Sequence, residues 1–222
     1  MTDKPKIVLF DIDYTLFDTD LYRKKLYPHL ANTLGIEKDE FFSLTKQAEK
    51  DMRVSPGYFS PEIFLQKLAD ESQGKISLDQ LQKIFWDEEL YRDLLDKDSQ
   101  ELFEKLSNKG ITIGLLSTGE THHQLAKVQI LLPYINKKQQ HIFPNKLDSL
   151  QATLDLYTDY QVYLVDDLPD VLVRAKQINP TIITILRTVN KSFERTSLVP
   201  DFHPDHTIGA LYLIFEIVSA II

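Results

Sequence analysis

The stretch Lys6-Ile7-Val8-Leu9-Phe10-Asp11-Ile12-Asp13-Tyr14-Thr15-Leu16 decides the fold. Four apolar residues in a row, Ile7 to Phe10, end abruptly at an aspartate. An unbroken β-rich run of this length predicts a strand covered on both faces, the signature of a parallel sheet rather than an exposed antiparallel one. Asp11 then sits just beyond the strand's carboxyl end, where open α/β sheets bind their ligands. Asp13 lies two residues on, and in extended backbone it projects to the same side as Asp11.

Moving outward, the texture changes between about Asp18 and Lys97. Leu21, Leu26, Leu30, Leu34, Phe41, Leu44, Phe64, Leu68, Leu81, Phe85 and Leu90 recur at helical spacings. Asp39 and Ser77 suit N-cap positions, Ser60-Pro61 suits a cap followed by proline at the first helical position, and Ser55-Pro56-Gly57 suits a turn. The stretch predicts an all-helical unit of about four helices. From there on strands and helices alternate. Strands are expected at Ile111–Leu116, Gln140–Phe143, Val162–Val165 and Ile182–Leu186, with a short edge strand at His206–Ile208. Helices are expected around Leu102–Leu106, where Gly110 can close the helix, and at Thr121–Leu132, Ser149–Tyr157 and Asp170–Gln177. Such alternation implies right-handed crossovers and a parallel sheet. The expected fold class is α/β: a Rossmann-like, three-layer α/β/α core over residues 1–17 and 98–222, with a helical cap over residues 18–97 inserted after the first strand.

The residues just past each strand gather one chemistry on one rim. Asp11, Asp13 and Thr15 come after the first strand, and Ser117, Thr118 and Gly119 after the second. Lys146 comes after the third, Asp166, Asp167 and Asp170 after the fourth, and Arg187 after the fifth. This order resembles the haloacid dehalogenase-like superfamily over nearly the whole chain. Asp11-Ile12-Asp13-Tyr14-Thr15-Leu16 is similar to its first motif, Leu115-Leu116-Ser117-Thr118-Gly119 to its second, Lys146 to its third and Leu164-Val165-Asp166-Asp167 to its fourth. Tyr14 stands where that family often has glycine, and Lys146 lacks the proline that often comes after it.

The resemblance implies a magnesium-dependent phosphatase acting on a small phosphomonoester through an aspartyl-phosphate. Asp11 would be the nucleophile, Asp13 the general acid and base, and Ser117 and Lys146 the partners of the phosphoryl group. Magnesium would be held by Asp11, the Asp13 carbonyl and one of Asp166 and Asp167; the motif reads in two registers, so the choice within that pair, and the part of Asp170, stay open. Thr15, Thr118 and Gly119, with Arg53 from the helical stretch, are the expected substrate contacts. A phosphomutase, a catalytically silent binding protein of the same fold and a dehalogenase are the rival readings. The dehalogenase branch lacks an acid at the second position, which Asp13 fills here.

The bulk numbers agree. A net charge of −8 gives no footprint for nucleic acid or for an anionic membrane, and it calls for a local cation wherever phosphate is handled. With no cysteine, a thiolate nucleophile, a disulfide scaffold and a thiolate zinc site are excluded, and a reducing cytoplasm suits the chain. The apolar C-terminal run from Ile208 carries Glu216 and is shorter than a membrane span, so a terminal helix docked on the core is expected. His122 and His123, adjacent on a helix, do not face one metal. The expected state is a monomer or homodimer.

Overall fold

In the computed structural model the described residues are 4–51, 58–188 and 202–220. Six strands form one wholly parallel sheet in the order β3-β2-β1-β4-β5-β6. They are β1 (Lys6–Phe10), β2 (Thr112–Thr118), β3 (Gln140–Phe143), β4 (Gln161–Asp166), β5 (Ile183–Arg187) and β6 (His206–Ile208). The apolar run of β1 is split by the pleat. Val8 and Phe10 pack into one buried cluster with Leu102, Phe103 and Leu106 of α6 (Ser99–Asn108) and Ile214 and Val218 of α10 (Leu213–Ser219). Ile7 and Leu9 pack into another with Leu150 and Leu154 of α8 (Lys146–Asp155) and Val171, Leu172 and Ala175 of α9 (Pro169–Ile178). A strand buried on both faces needs apolar residues at every position, which is what the sequence shows.

Between β1 and α6 the chain forms α1 (Thr19–Leu34), α2 (Lys38–Asp51), α3 (Pro61–Glu71), α4 (Leu78–Phe85) and the single turn α5 (Glu88–Tyr91). Asp18 caps α1, accepting from the Leu21 N–H at 2.9 Å. Ser60 and Ser77 cap α3 and α4 as expected, Ser77 with a reciprocal bond to Gln80. Asp39 is not a cap: α2 begins at Lys38, and Asp39 lies in its first turn, where a negative charge suits the helix dipole. The turn expected at Ser55-Pro56-Gly57 lies outside the described residues. The helices' apolar faces, through Leu26, Leu30, Phe64, Leu68 and Phe85, join the same buried cluster as Val8 and Phe10, by way of Ile12, Leu16 and Phe17. Two neighbouring backbone bonds, Asp18 N–H to Leu94 O and Asp96 N–H to Leu16 O, each 2.8 Å, tie the two connections between these helices and the sheet side by side.

Two expected helix boundaries moved by three residues or more. The helix after β2, α7 (Thr121–Lys127), stops at Lys127, and Gln129–Tyr134 continues as a 3₁₀ turn that takes Pro133 inside it. The helix expected from Ser149 begins three residues earlier, at Lys146, because Asn145 caps it through the Leu147 N–H. Among the described residues no helix is long and apolar enough to cross a membrane.

Topology places the site. The chain runs β1 to β2 to β3 on one side, then returns across β1 to add β4, so successive crossovers diverge at the β1–β4 seam. Such a seam opens a crevice at the strands' carboxyl ends. Phe10 pairs with Val165 there, and the Asp11 N–H donates to Val165 O at 2.9 Å, which sets Asp11 beside Asp166.

Close packing at β2 gives a first test. A Cβ on Gly114 would stand 2.7 Å from Leu9 Cδ2 and 3.0 Å from the Gln139 carbonyl oxygen. Gly114→Ala is therefore expected to lower stability by about 1–3 kcal/mol, read as a drop in the denaturant midpoint. An unchanged midpoint would show that β2 has slack the structure does not have.

Candidate active site

The ends of β1, β2 and β4 and the start of α8 bring Asp11, Asp13, Ser117, Thr118, Lys146 and Asp167 to one cavity of about 170 Å³. Tyr22, Leu26, Tyr27 and Phe59 of the helical stretch form its far wall. Lys146 is central. It is the first residue of α8, its N–H donates to Thr118 Oγ1 at 3.2 Å, and its Nζ donates to Asp11 Oδ1 at 2.7 Å and Asp166 Oδ2 at 2.6 Å. Lys146, Asp11 and Asp166 are all essentially out of solvent, with side chains 4%, 5% and 0% exposed.

One lysine thus joins two buried acids with a third close by: carboxylate oxygens of Asp11, Asp166 and Asp167 lie within 4.8 Å of one another. Burial, with repulsion from Asp166 and Asp167 added, outweighs Lys146 and pushes Asp11 up to about 8. Asp166 is raised too, again chiefly by burial. Burial alone would lower Lys146, but Asp11 and Asp166 overturn this and hold its ammonium form well above the ordinary lysine range. The lysine keeps its charge; what the pocket resists is full ionisation of both Asp11 and Asp166. A divalent cation bound by oxygen ligands would relieve that excess, and a hard dication prefers such ligands. The donor set fits one.

The two members of the aspartate pair differ. Asp166 engages both oxygens, Oδ2 with Lys146 and Oδ1 with the Leu168 N–H at 2.9 Å, and does not line the cavity. Asp167, 3% exposed, does line it. Asp170 lies in the first turn of α9, behind Pro169 and a Leu168 N-cap position with no side-chain cap.

Asp13 stands across the cavity in a network that motif reading missed. Lys127 Nζ donates to Oδ1 at 2.7 Å and Oδ2 at 2.9 Å, Gln124 Nε2 donates to Oδ2 at 2.8 Å, and the Thr19 hydroxyl donates to Oδ1. Burial would raise Asp13, but Lys127 and the bonds from Thr19 and Gln124 reverse it and hold the carboxylate well below its usual range. Gln124 and Lys127 share a face of α7 at a spacing of three residues, a polar pair whose position right after β2 was the available signal. Gly119 serves this network: at φ +149, a Cβ there would meet Gln124 Nε2 at 2.5 Å. Gly119 itself is not among the residues lining the cavity.

The other candidates have separate surroundings. Ser117, 1% exposed, lines the cavity, and its Oγ has no hydrogen-bond partner among the described residues. Thr15 is 2% exposed and lines a neighbouring cavity of about 370 Å³ together with Arg187. Arg187 reaches Asp96 at 2.6 Å rather than the rim of carboxylates. Tyr14 adopts a left-handed φ of 63°, which explains why glycine suits this turn elsewhere, and its hydroxyl donates to Asp20 at 2.9 Å. His122 packs against Trp86 with its ring tilted by 43°, while His123 is buried among Tyr22, Phe59 and Phe85. Arg53 lies outside the described residues.

The Asp11 environment sets a pH test. Its folded-state value near 8 exceeds the unfolded value near 3.8, so the stability it contributes is complete below about pH 4 and is lost as pH rises toward 8 in metal-free protein. Asp11→Asn cannot ionise. In chelator its melting temperature should exceed the parent's, by a margin that widens from pH 5 to pH 9. A margin that does not change with pH would show that Asp11 ionises freely in the folded chain.

No family model and no curated protein matches this chain. Solved structures do. It is similar to a protein of Burkholderia xenovorans LB400 assigned as a haloacid dehalogenase-like hydrolase, at 17% identity and TM-score 0.75, covering 96% of both chains. It is similar to the magnesium-bound HAD-hydrolase YfnB of Bacillus subtilis, at 14% identity and TM-score 0.64 over 98% of this chain and 100% of that one. It is also similar to the defluorinating L-2-haloacid dehalogenase Rha0230, at 15% identity and TM-score 0.63 over 97% and 96%. Further matches include a phosphatase and a chain assigned as a β-phosphoglucomutase. At these identities the likeness speaks for architecture and leaves the reaction to the site: the chain has the haloacid dehalogenase-like fold.

Proposed function

We propose that the chain is a magnesium-dependent phosphatase that hydrolyses a small phosphomonoester through a phosphoryl group carried on Asp11. One observation carries the choice over the dehalogenase reaction found on the same fold: a second carboxylate, Asp13, shares the cavity with Asp11 and is held in place by three side chains. Displacing an alkoxide from phosphorus calls for a proton on the leaving oxygen, and later hydrolysis of the phosphoryl intermediate calls for a base on water. Displacing halide from carbon needs no such acid.

In this reading Asp11 attacks phosphorus in line and the P–O bond to the leaving group breaks. Asp13 gives its proton to the leaving oxygen from the minor fraction that carries one, and then, as the carboxylate its partners favour, takes one from the water that releases phosphate. The Ser117 hydroxyl, buried with no partner among the described residues, donates to a phosphoryl oxygen. Lys146 holds Asp11 at 2.7 Å and offsets negative charge gathered on the transferring group. Asp11, Asp167 and the Asp13 carbonyl would hold magnesium, which supplies charge neutralisation between two anions; Asp166, engaged with Lys146 and α9, orients the lysine instead. Residues 18–97 serve as a cap whose wall of Tyr22, Leu26, Tyr27 and Phe59 excludes water and selects the substrate. A cavity of about 170 Å³ favours a small leaving group.

The test is release of inorganic phosphate from a panel of small phosphomonoesters. Turnover should require magnesium, vanish in chelator and fall by about 10³-fold or more in Asp11→Asn. Halide release without a divalent ion, or Asp11→Asn turning over like the parent, would contradict the proposal.

A further inference from the structure

Beside the carboxylates served by Lys146, the site holds a second buried lysine that the proposed reaction does not use. Lys127 comes from α7, with its side chain 4% exposed, and both short contacts of its Nζ go to the two oxygens of Asp13. The Phe17 ring lies 5.6 Å from Nζ. Replacing a buried ion pair by apolar groups is often neutral or even stabilising, so stability alone is a poor reason to bury this one. What the pair fixes is direction. Two nearly equal contacts, 2.7 and 2.9 Å, hold the Asp13 carboxylate edge-on, and Gln124 ties Oδ2 to the Thr118 carbonyl through bonds of 2.8 and 2.9 Å. Thr19, at the first turn of α1, takes Oδ1 from the other side. Core and helical stretch thus grip one carboxylate from opposite flanks.

We infer that Lys127 is a positioning residue for the acid–base step: it acts through Asp13, setting where that carboxyl group meets the leaving-group oxygen. This rests on the phosphatase reading for the identity of the step, though not for the geometry. Because proton delivery matters most when the departing oxygen is a poor leaving group, loss of Lys127 should discriminate between esters. General damage to the fold would not.

The experiment compares kcat/KM, which reports steps up to the first P–O cleavage, for an alkyl phosphate and for 4-nitrophenyl phosphate. Lys127→Met should lose about 10²-fold on the alkyl ester and under about fivefold on the nitrophenyl ester. Lys127→Arg, which keeps the charge, should recover part of the alkyl activity, and Asp13→Asn should show the same bias as Lys127→Met. Equal losses on both esters, or none, would overturn the inference. Should Lys127→Met not fold, Lys127→Gln carries the same comparison. Should the parent hydrolyse neither ester, the comparison is made with alkyl and aryl esters of the panel that it does hydrolyse; should it hydrolyse none of the panel, the phosphatase reading fails, and the inference is judged by a crystal structure of Lys127→Met. Displacement of the Asp13 carboxylate from its Thr19 and Gln124 partners would support it; an unmoved carboxylate would overturn it.

Discussion

The Lys146 ammonium, wedged between Asp11 at 2.7 Å and Asp166 at 2.6 Å, is the contact on which the site depends. It is one positive charge shared between two buried carboxylates, with Asp167 close by, in a protein whose net charge is already −8. Removing the lysine from a buried ionic cluster of this kind typically costs about 3–5 kcal/mol, because the carboxylates it joins are left without compensation. The arrangement is therefore stable enough to exist and short of positive charge enough to attract more. That deficit is the physical reason the donor set suits a divalent cation.

Everything around the lysine helps to make this deficit sustainable. The divergence of crossovers at the β1–β4 seam brings Asp11 and Asp166 together, and the Asn145 cap starts α8 at the residue whose side chain must reach them. Asp166 spends its oxygens on the lysine and on the Leu168 N–H, leaving Asp167 facing the cavity. On the far side Lys127 gives Asp13 a separate counter-ion. The two lysines divide the carboxylates between them, so that Asp11, pushed up by burial, and Asp13, held down by its neighbours, differ sharply although two residues apart. Carboxyl groups whose surroundings drive them in opposite directions are suited to different tasks.

Much of this is legible in the sequence. The unbroken Ile7–Phe10 run, the alternation after Lys97 and the acids beyond the strands specify a parallel sheet and the rim where its polar residues gather. The hidden part depends on side-chain reach across elements. Lys127 and Gln124 look like ordinary polar positions on a helix because nothing in their spacing names Asp13 as the partner. The register within Asp166-Asp167 cannot be resolved by counting, since it turns on which side chain α9 and Lys146 occupy. Arg187 reads as a candidate cation for the rim, yet its reach is set by Asp96 in the connection returning from the helices. Helix starts shift for a similar reason: Asn145, following β3, accepts from the Leu147 N–H and starts α8 at Lys146 instead of Ser149.

The proposed reaction stands or falls with Asp11 as the group that bonds to phosphorus. Its most direct test is mass spectrometry of peptides from protein mixed with magnesium and a turned-over phosphomonoester, then quenched in acid within the first turnover. A phosphoryl adduct on the peptide containing Asp11, localised to that residue and absent from chelated samples, is the result expected. An adduct on another side chain, or phosphate release at full rate with no adduct at any quench time, would contradict it.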